Sequence, residues 1–345
     1  VFFRLHPCTW LGYRKRVDGN GNSDLVREIR RDIDANGGWI TFERFMNLAL
    51  YHPRFGYYTS SREKIGKCGD YFTSVSVGPL FGKLLAKQFL KFREELGNPP
   101  EFEVVEFGGH SGQLRADVLA AVPDLRYCIV ETGDPLPDSI VGCVFSNEFL
   151  DALPVHVVQA KNGVWQEIYV DAEFTESLGP LSTPRLADFL SDLPGQYMEG
   201  YRTEVNLRAL DWLADVGRRL KRGWIVTIDY GYERPEYFAP HHRDGTLLCY
   251  YHHTRSANPY ANIGEQDITA HVEFTSFIEH GKKLGIEPAL FTDQSHYLLQ
   301  IGESEIAEIV ERTAGQPSKE RAAIQQLLHP EMMGRTFRVL VQRRL

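Results

Sequence analysis

Val104-Val-Glu-Phe-Gly-Gly-His-Ser-Gly112 is the stretch from which the rest of the chain is read. Ahead of it, Phe102, Val104 and Val105 form a short apolar run with strand character. After it, Gln113 to Val122 carries apolar residues at Leu114, Val118, Leu119 and Val122, the spacing of one helix face. Strand, glycine-rich turn and helix in this order predict the first step of an open α/β sheet. Glycines let the backbone of such a turn approach a nucleotide-like ligand closely. A dinucleotide fingerprint beginning at Gly108 needs glycine at 110 and 113, where the chain has His110 and Gln113. A nucleophile elbow built on Ser111 needs the same glycine at 113, which argues against a serine hydrolase.

The pattern that remains is Glu106-x-Gly108-x-x-x-Gly112. It resembles the first motif of S-adenosylmethionine (SAM) methyltransferases, in which an acid ends the first strand. SAM carries a sulfonium and an ammonium but no phosphate, so a carboxylate beside the turn is chemically sensible. A glycine turn with no ligand is the competing reading of the same residues.

The 345 residues allow one large or two modest domains. A hydrophobic content of 43% and a charged content of 24% are those of an ordinary soluble globular protein. The net charge of -8 argues against nonspecific binding to nucleic acid. Cys8, Cys68, Cys128, Cys143 and Cys249 form no Cys-x-x-Cys, which predicts a reducing compartment and no structural zinc. The expected location is cytoplasmic, with the mitochondrial matrix as the alternative. No apolar run approaches the ~20 residues of a membrane span. Residues 1–22 place Arg4, Arg14, Lys15 and Arg16 before any acid, like a mitochondrial presequence, but have no serine. They are read as a poorly ordered tail.

Helical stripes follow at Leu25, Ile29 and Ile33, then at Phe42, Phe45, Met46, Ala49 and Leu50 behind a Thr41 cap. Residues 23–98 are therefore an N-terminal helical segment, and 99–154 the first half of the core. Residues 155–203 are an inserted hairpin and substrate region, with 171–200 irregular. Residues 204–345 are the second half, with helices over Glu204 to Leu220 and Asp267 to Leu284 and a long loop at 232–267.

Candidate site residues lie at predicted strand ends. Glu131 ends the second strand, where an acid would meet ribose hydroxyls or simply be solvated. Asn147, Glu148 and Asp151 follow the strand over Ile140 to Phe145. Glu148 and Asp151 would converge on a guanidinium, or the segment would cap a helix. Asp229 ends the strand beginning at Trp224. Asp70 and Thr73 read locally as turn formers. His241-His242 and His252-His253 lack a completing acid or cysteine pattern, so no metal is expected.

Taken together, these motifs resemble the MidA-like SAM-dependent methyltransferases, whose mitochondrial members assist assembly of respiratory complex I. The resemblance runs from about residue 39 to the C-terminus. It is carried by Phe42-x-x-Phe-Met46, Leu50-Tyr-x-Pro-x-x-Gly-Tyr-Tyr58, Gly69-Asp70, Thr73-Ser74, Phe81-Gly82 and Glu106-x-Gly108. Asn147-Glu-Phe-x-Asp-Ala-Leu-Pro154, Asp229-Tyr-Gly231, Gly245-Thr-Leu247, Asp267-Ile-Thr-Ala-His-Val272, Gln294 and Met333-Gly334 complete it. It implies a class I, Rossmann-like, mostly parallel sheet, SAM as cofactor, and methyl transfer to a protein arginine. It assigns Gly108, Gly109, Gly112 and Glu131 to SAM, with Asp70 and Thr73 closing over it. Asn147 and Glu148 would lie where methyl and acceptor meet, and Glu148, Asp151 and Asp229 would orient the guanidinium.

The chain departs from that pattern at three places. His110 replaces the middle glycine of the turn, and Val75-Ser76 replaces Pro-Glu. Only Thr132 to Ser139 separates the second strand from the next, too few for a helical crossover. The third, edge strand and its helix are therefore expected to be missing. His110 and this short crossover also leave open a degenerate, non-catalytic binding or assembly protein.

Overall fold

The computed structural model describes residues 21–60, 73–193 and 197–345. Its centre is a seven-stranded sheet. The order across it is Glu287–Asp293, Phe337–Arg344, Leu220–Tyr232, Ile140–Asn147, Glu103–Phe107, Arg126–Val130, with Val272–Glu273 added beside Leu220–Tyr232. The last four strands of the order run parallel, and Phe337–Arg344 is antiparallel to both its neighbours. Arg126–Val130 is the edge strand, and residues 132–139 return to the far side of Glu103–Phe107 with no helix or strand. The class I methyltransferase fold is present, and among the described residues no third strand pairs with the outer edge of Arg126–Val130.

Helices cover both faces because the parallel strands are apolar on both sides. One face packs on Leu80–Glu95, Gln113–Ala121, Gln294–Arg312 and Lys319–Leu328 through residues such as Phe81, Phe89, Val118 and Leu298. The other packs on Leu207–Arg219 and Phe274–Lys283 through Trp212, Val216 and Phe277. Helices Ser23–Ala35 and Phe42–Tyr51 sit apart, on an antiparallel sheet of Ile40–Thr41, Val164–Val170, His156–Lys161, Arg202–Val205 and Glu176–Gly179. The Asn22 and Thr41 side chains cap these helices.

Several sequence expectations change. Residues 1–20 of the expected tail lie outside the described residues, but Gly21 bridges to Ile263 and Asn22 caps a helix, so both belong to the fold. Residues 171–200 contain the strand Glu176–Gly179 and the helix Pro184–Ser191, whose Thr183 cap and leading proline start it. Arg202–Val205 is a strand, so the helix begins only at Leu207, after the Asn206 cap. The loop 232–267 contains the hairpin strands Leu248–Tyr251 and Thr254–Ser256. Asp267–Thr269 pairs with that hairpin, so the helix expected from Asp267 starts at Phe274. Two of these segments, Arg202–Val205 and Asp267–Thr269, pair with strands well separated in sequence, His156–Lys161 and Leu248–Tyr251.

Candidate active site

The ends of the parallel strands hold the predicted turn. Gly108 and Gly112 have φ of +70° and +71°, which favours glycine. A Cβ on Gly109 would come within 2.9 Å of the Glu106 carboxyl and of Ile129, so this position is closed to side chains. Glu106 thus lies beneath the turn, buried, and accepts a hydrogen bond from Tyr127 Oη at 2.9 Å. Burial pushes its carboxyl up to about 7, against the pull of that bond.

His110 has a φ of +44°. Its backbone N–H donates to Glu131 Oε1 at 2.7 Å, and its ring stacks on Tyr58 at 5.5 Å. The imidazole is 34% and Glu131 39% exposed, so both stand at the mouth of the turn.

Asn147 and Glu148 follow on the next parallel strand. Asn147 Nδ2 donates to Glu148 Oε1 at 3.0 Å, and the Ser74 N–H reaches the same oxygen at 3.4 Å. Asn147 Oδ1 is buried and has no partner. Glu148 is partly exposed, has a φ of +51°, and is pushed up to about 8 by its low-dielectric surroundings and the nearby Asp229. Asp151 is buried beside Asp229, Glu148 and Asp267, which together with burial hold its carboxyl well above the usual range.

Asp229 does something else. Its Oδ2 accepts from the N–H groups of Phe149, Leu150 and Asp151 at 3.2, 2.9 and 3.4 Å, and its Oδ1 from Tyr230 N–H at 2.9 Å. It is fully buried, which pushes it up to about 7. Both carboxylate oxygens are thus engaged by backbone N–H groups, and these bonds shape the 148–151 turn. Thr73 closes a local turn with Ser76, with the two side-chain oxygens each taking the other's N–H at 3.0 and 3.3 Å. Asp70 lies outside the described residues.

Sequence reasoning missed Tyr58, Ser74, Tyr230 and Asp267 as site residues. Tyr230 stands beside Glu148 and Asp151, and Tyr58 Oη donates to Asp267 Oδ1 at 2.8 Å. The Gly-Tyr-Tyr motif was a signal for Tyr58. Asp267 was hidden in a segment read as helix.

A solved structure has this same architecture. It is a COG1565 superfamily member from Burkholderia thailandensis bound to S-adenosyl-homocysteine, 31% identical, with a TM-score of 0.85, covering 93% of this chain and 92% of that one. The chain belongs to the MidA-like SAM-dependent methyltransferases. A native structure of a COG1565 superfamily protein from the same organism matches at 30% identity and a TM-score of 0.81 over 93% of this chain and 91% of that one. Residues 134–292 of this MidA-like chain match the family profile described as "Putative S-adenosyl-L-methionine-dependent methyltransferase". The mouse protein named "Protein arginine methyltransferase NDUFAF7, mitochondrial" is 24% identical over 96% of this chain and 88% of its own length. The Drosophila melanogaster homologue is 24% identical over 93% and 85%. No helix among the described residues is long and apolar enough to cross a membrane.

The residues present fit SAM. The orphaned Asn147 Oδ1 is an acceptor waiting for a donor such as the methionyl ammonium. Glu131 keeps an exposed carboxylate at the strand end, where ribose hydroxyls are held in related folds. SAM is the cofactor of this methyltransferase.

Proposed function

We propose that this MidA-like methyltransferase places the methyl group on an arginine side chain of a protein partner. The observation that carries the reading is Glu148, a half-buried residue whose carboxyl is held near a pKa of 8 beside the unpartnered Asn147 oxygen. A guanidinium must lose a proton as its nitrogen is methylated, and a base that titrates near the working pH removes it best. When bound, SAM would supply the methyl group by in-line displacement at its methyl carbon, with S-adenosylhomocysteine as the leaving group. Gly108, Gly109, Gly112, Glu131 and Asn147 would hold it, with Thr73 closing over it and, on the family resemblance alone, Asp70 as well. Glu148 orients the guanidinium and takes its proton as the N–CH3 bond forms. Asp151 stands behind Glu148 as a second acid and favours a cation in the pocket. Asp229 acts through the backbone, as the residue that holds the 148–151 turn.

In this reading 99–154 and 204–345 form the cofactor core, 155–203 is the substrate region, and 23–98 is the N-terminal helical segment. The protein arginine methyltransferases among its relatives support the acceptor class, and their mitochondrial names support a mitochondrial site of action over the cytoplasm. Calorimetry of the intact protein with S-adenosylhomocysteine, followed by labelled methyl transfer to a mitochondrial protein extract, tests it. Saturable binding and label on arginine support it. No binding at millimolar ligand, or label confined to other side chains, overturns it.

A further inference from the structure

Two imidazoles and a carboxylate converge in the turn that follows Tyr232. Glu236 lies in the helical turn Arg234–Tyr237, and His241 and His242 in the 3-10 turn Pro240–His242. The turn is pinned on both sides. Arg234 donates to Glu279 Oε2 at 2.7 Å and to Ser276 Oγ at 3.0 Å, while Tyr237 and Phe238 are buried. Three donor atoms, one from each of Glu236, His241 and His242, lie within 4.8 Å of one another. His241 Nε2 is 3.0 Å from Glu236 Oε1. His242 Nδ1 is 2.9 Å from the Glu236 backbone oxygen, and its ring leans on Tyr232 at 4.9 Å.

We propose that Glu236, His241 and His242 form a surface binding site for a borderline divalent transition ion of the Zn2+ class. Two imidazoles and one carboxylate are a donor set for Zn2+, Ni2+ or Cu2+ rather than for Mg2+ or Ca2+, which select all-oxygen sites. Ligand atoms around Zn2+ at ~2.0–2.2 Å from the ion stand roughly 3.4 Å apart, so small side-chain rotations close the triad. The carbonyl contact of His242 is the kind of outer bond that orients a metal-binding ring. Three protein ligands leave one position for water or for a side chain of another molecule. The His241-His242 pair has no helical metal-ligand spacing, and the sequence pattern around it offers no completing acid. Glu236 supplies it, brought back by the two proline-containing turns rather than by helical spacing.

The test is a titration of the intact protein with ZnCl2 alone, followed by calorimetry and by thermal unfolding. It compares wild type with Glu236→Gln, His241→Asn, His242→Asn and the triple variant. None of these residues belongs to the proposed cofactor or acceptor site, and unchanged melting without metal verifies that each variant folds. One saturable equivalent at micromolar Zn2+ is expected, weakened about tenfold or more by each single change. The triple variant should lose that equivalent and the accompanying rise in melting temperature. Absence of saturable binding overturns the proposal. So does a triple variant with wild-type stoichiometry and affinity, which would place the ion elsewhere on the chain.

Discussion

The hydroxyl of Tyr58 donates to Asp267 Oδ1 at 2.8 Å, joining residues 209 positions apart. The same ring stacks on His110 at 5.5 Å and on Tyr51 at 5.3 Å. One side chain of the N-terminal segment therefore touches both the glycine turn, at His110, and the buried acid Asp267. Tyr58→Phe keeps the ring and removes the bond to Asp267. Affinity for S-adenosylhomocysteine should stay close to wild type, while kcat/KM for the acceptor falls about tenfold or more, as for loss of a hydrogen bond to a charged group. Equal loss in both measurements would make Tyr58 a packing residue only.

Glu148 gives a pH signature. Its carboxyl is pushed up to about 8, so at neutral pH the free enzyme holds it largely protonated and unable to act as a base. The kcat/KM for methyl transfer should rise through pH 8 and then level. Glu148→Gln should lose about 10²–10⁴ in rate and abolish the rise. The same shift has the opposite sign for stability. A carboxyl raised on folding stabilises below its ordinary pKa and loses that contribution as pH climbs through the folded value. Melting temperature should therefore decline toward pH 8, and decline less in Glu148→Gln.

Asn147 is tested by its orphaned oxygen. Asn147→Leu removes the buried acceptor and should weaken S-adenosylhomocysteine binding about tenfold, as calorimetry would show. Asn147→Asp keeps an acceptor there and should bind more tightly than Asn147→Leu. Identical affinities in the two variants would remove Asn147 from the cofactor site.

Asp229 predicts a structural loss before a chemical one. Asp229→Ala leaves the N–H groups of Phe149, Leu150, Asp151 and Tyr230 without their acceptor. At about 1–3 kcal/mol for an unsatisfied buried group, urea unfolding should show a destabilisation of about 3 kcal/mol or more. Methyl transfer should fall with it, because the turn that aims Glu148 is no longer held. A variant with wild-type stability and reduced rate would return Asp229 to direct contact with the acceptor.

Local order along the chain determined the strand, glycine turn and helix at 104–122, the apolar stripes of the N-terminal helices, and the missing edge strand. Those readings rest on spacing and residue count over a dozen positions, and packing did not change them. Tertiary structure alone decided that Asp267–Thr269 is a strand, because its partner Leu248–Tyr251 lies across a loop. It alone gave Asp229 to the backbone of a turn some 80 residues earlier, and set Glu148 among buried acids. Periodicity is written into neighbours in sequence. Burial, charge environment and the meeting of distant side chains exist only once the sheet has brought them together.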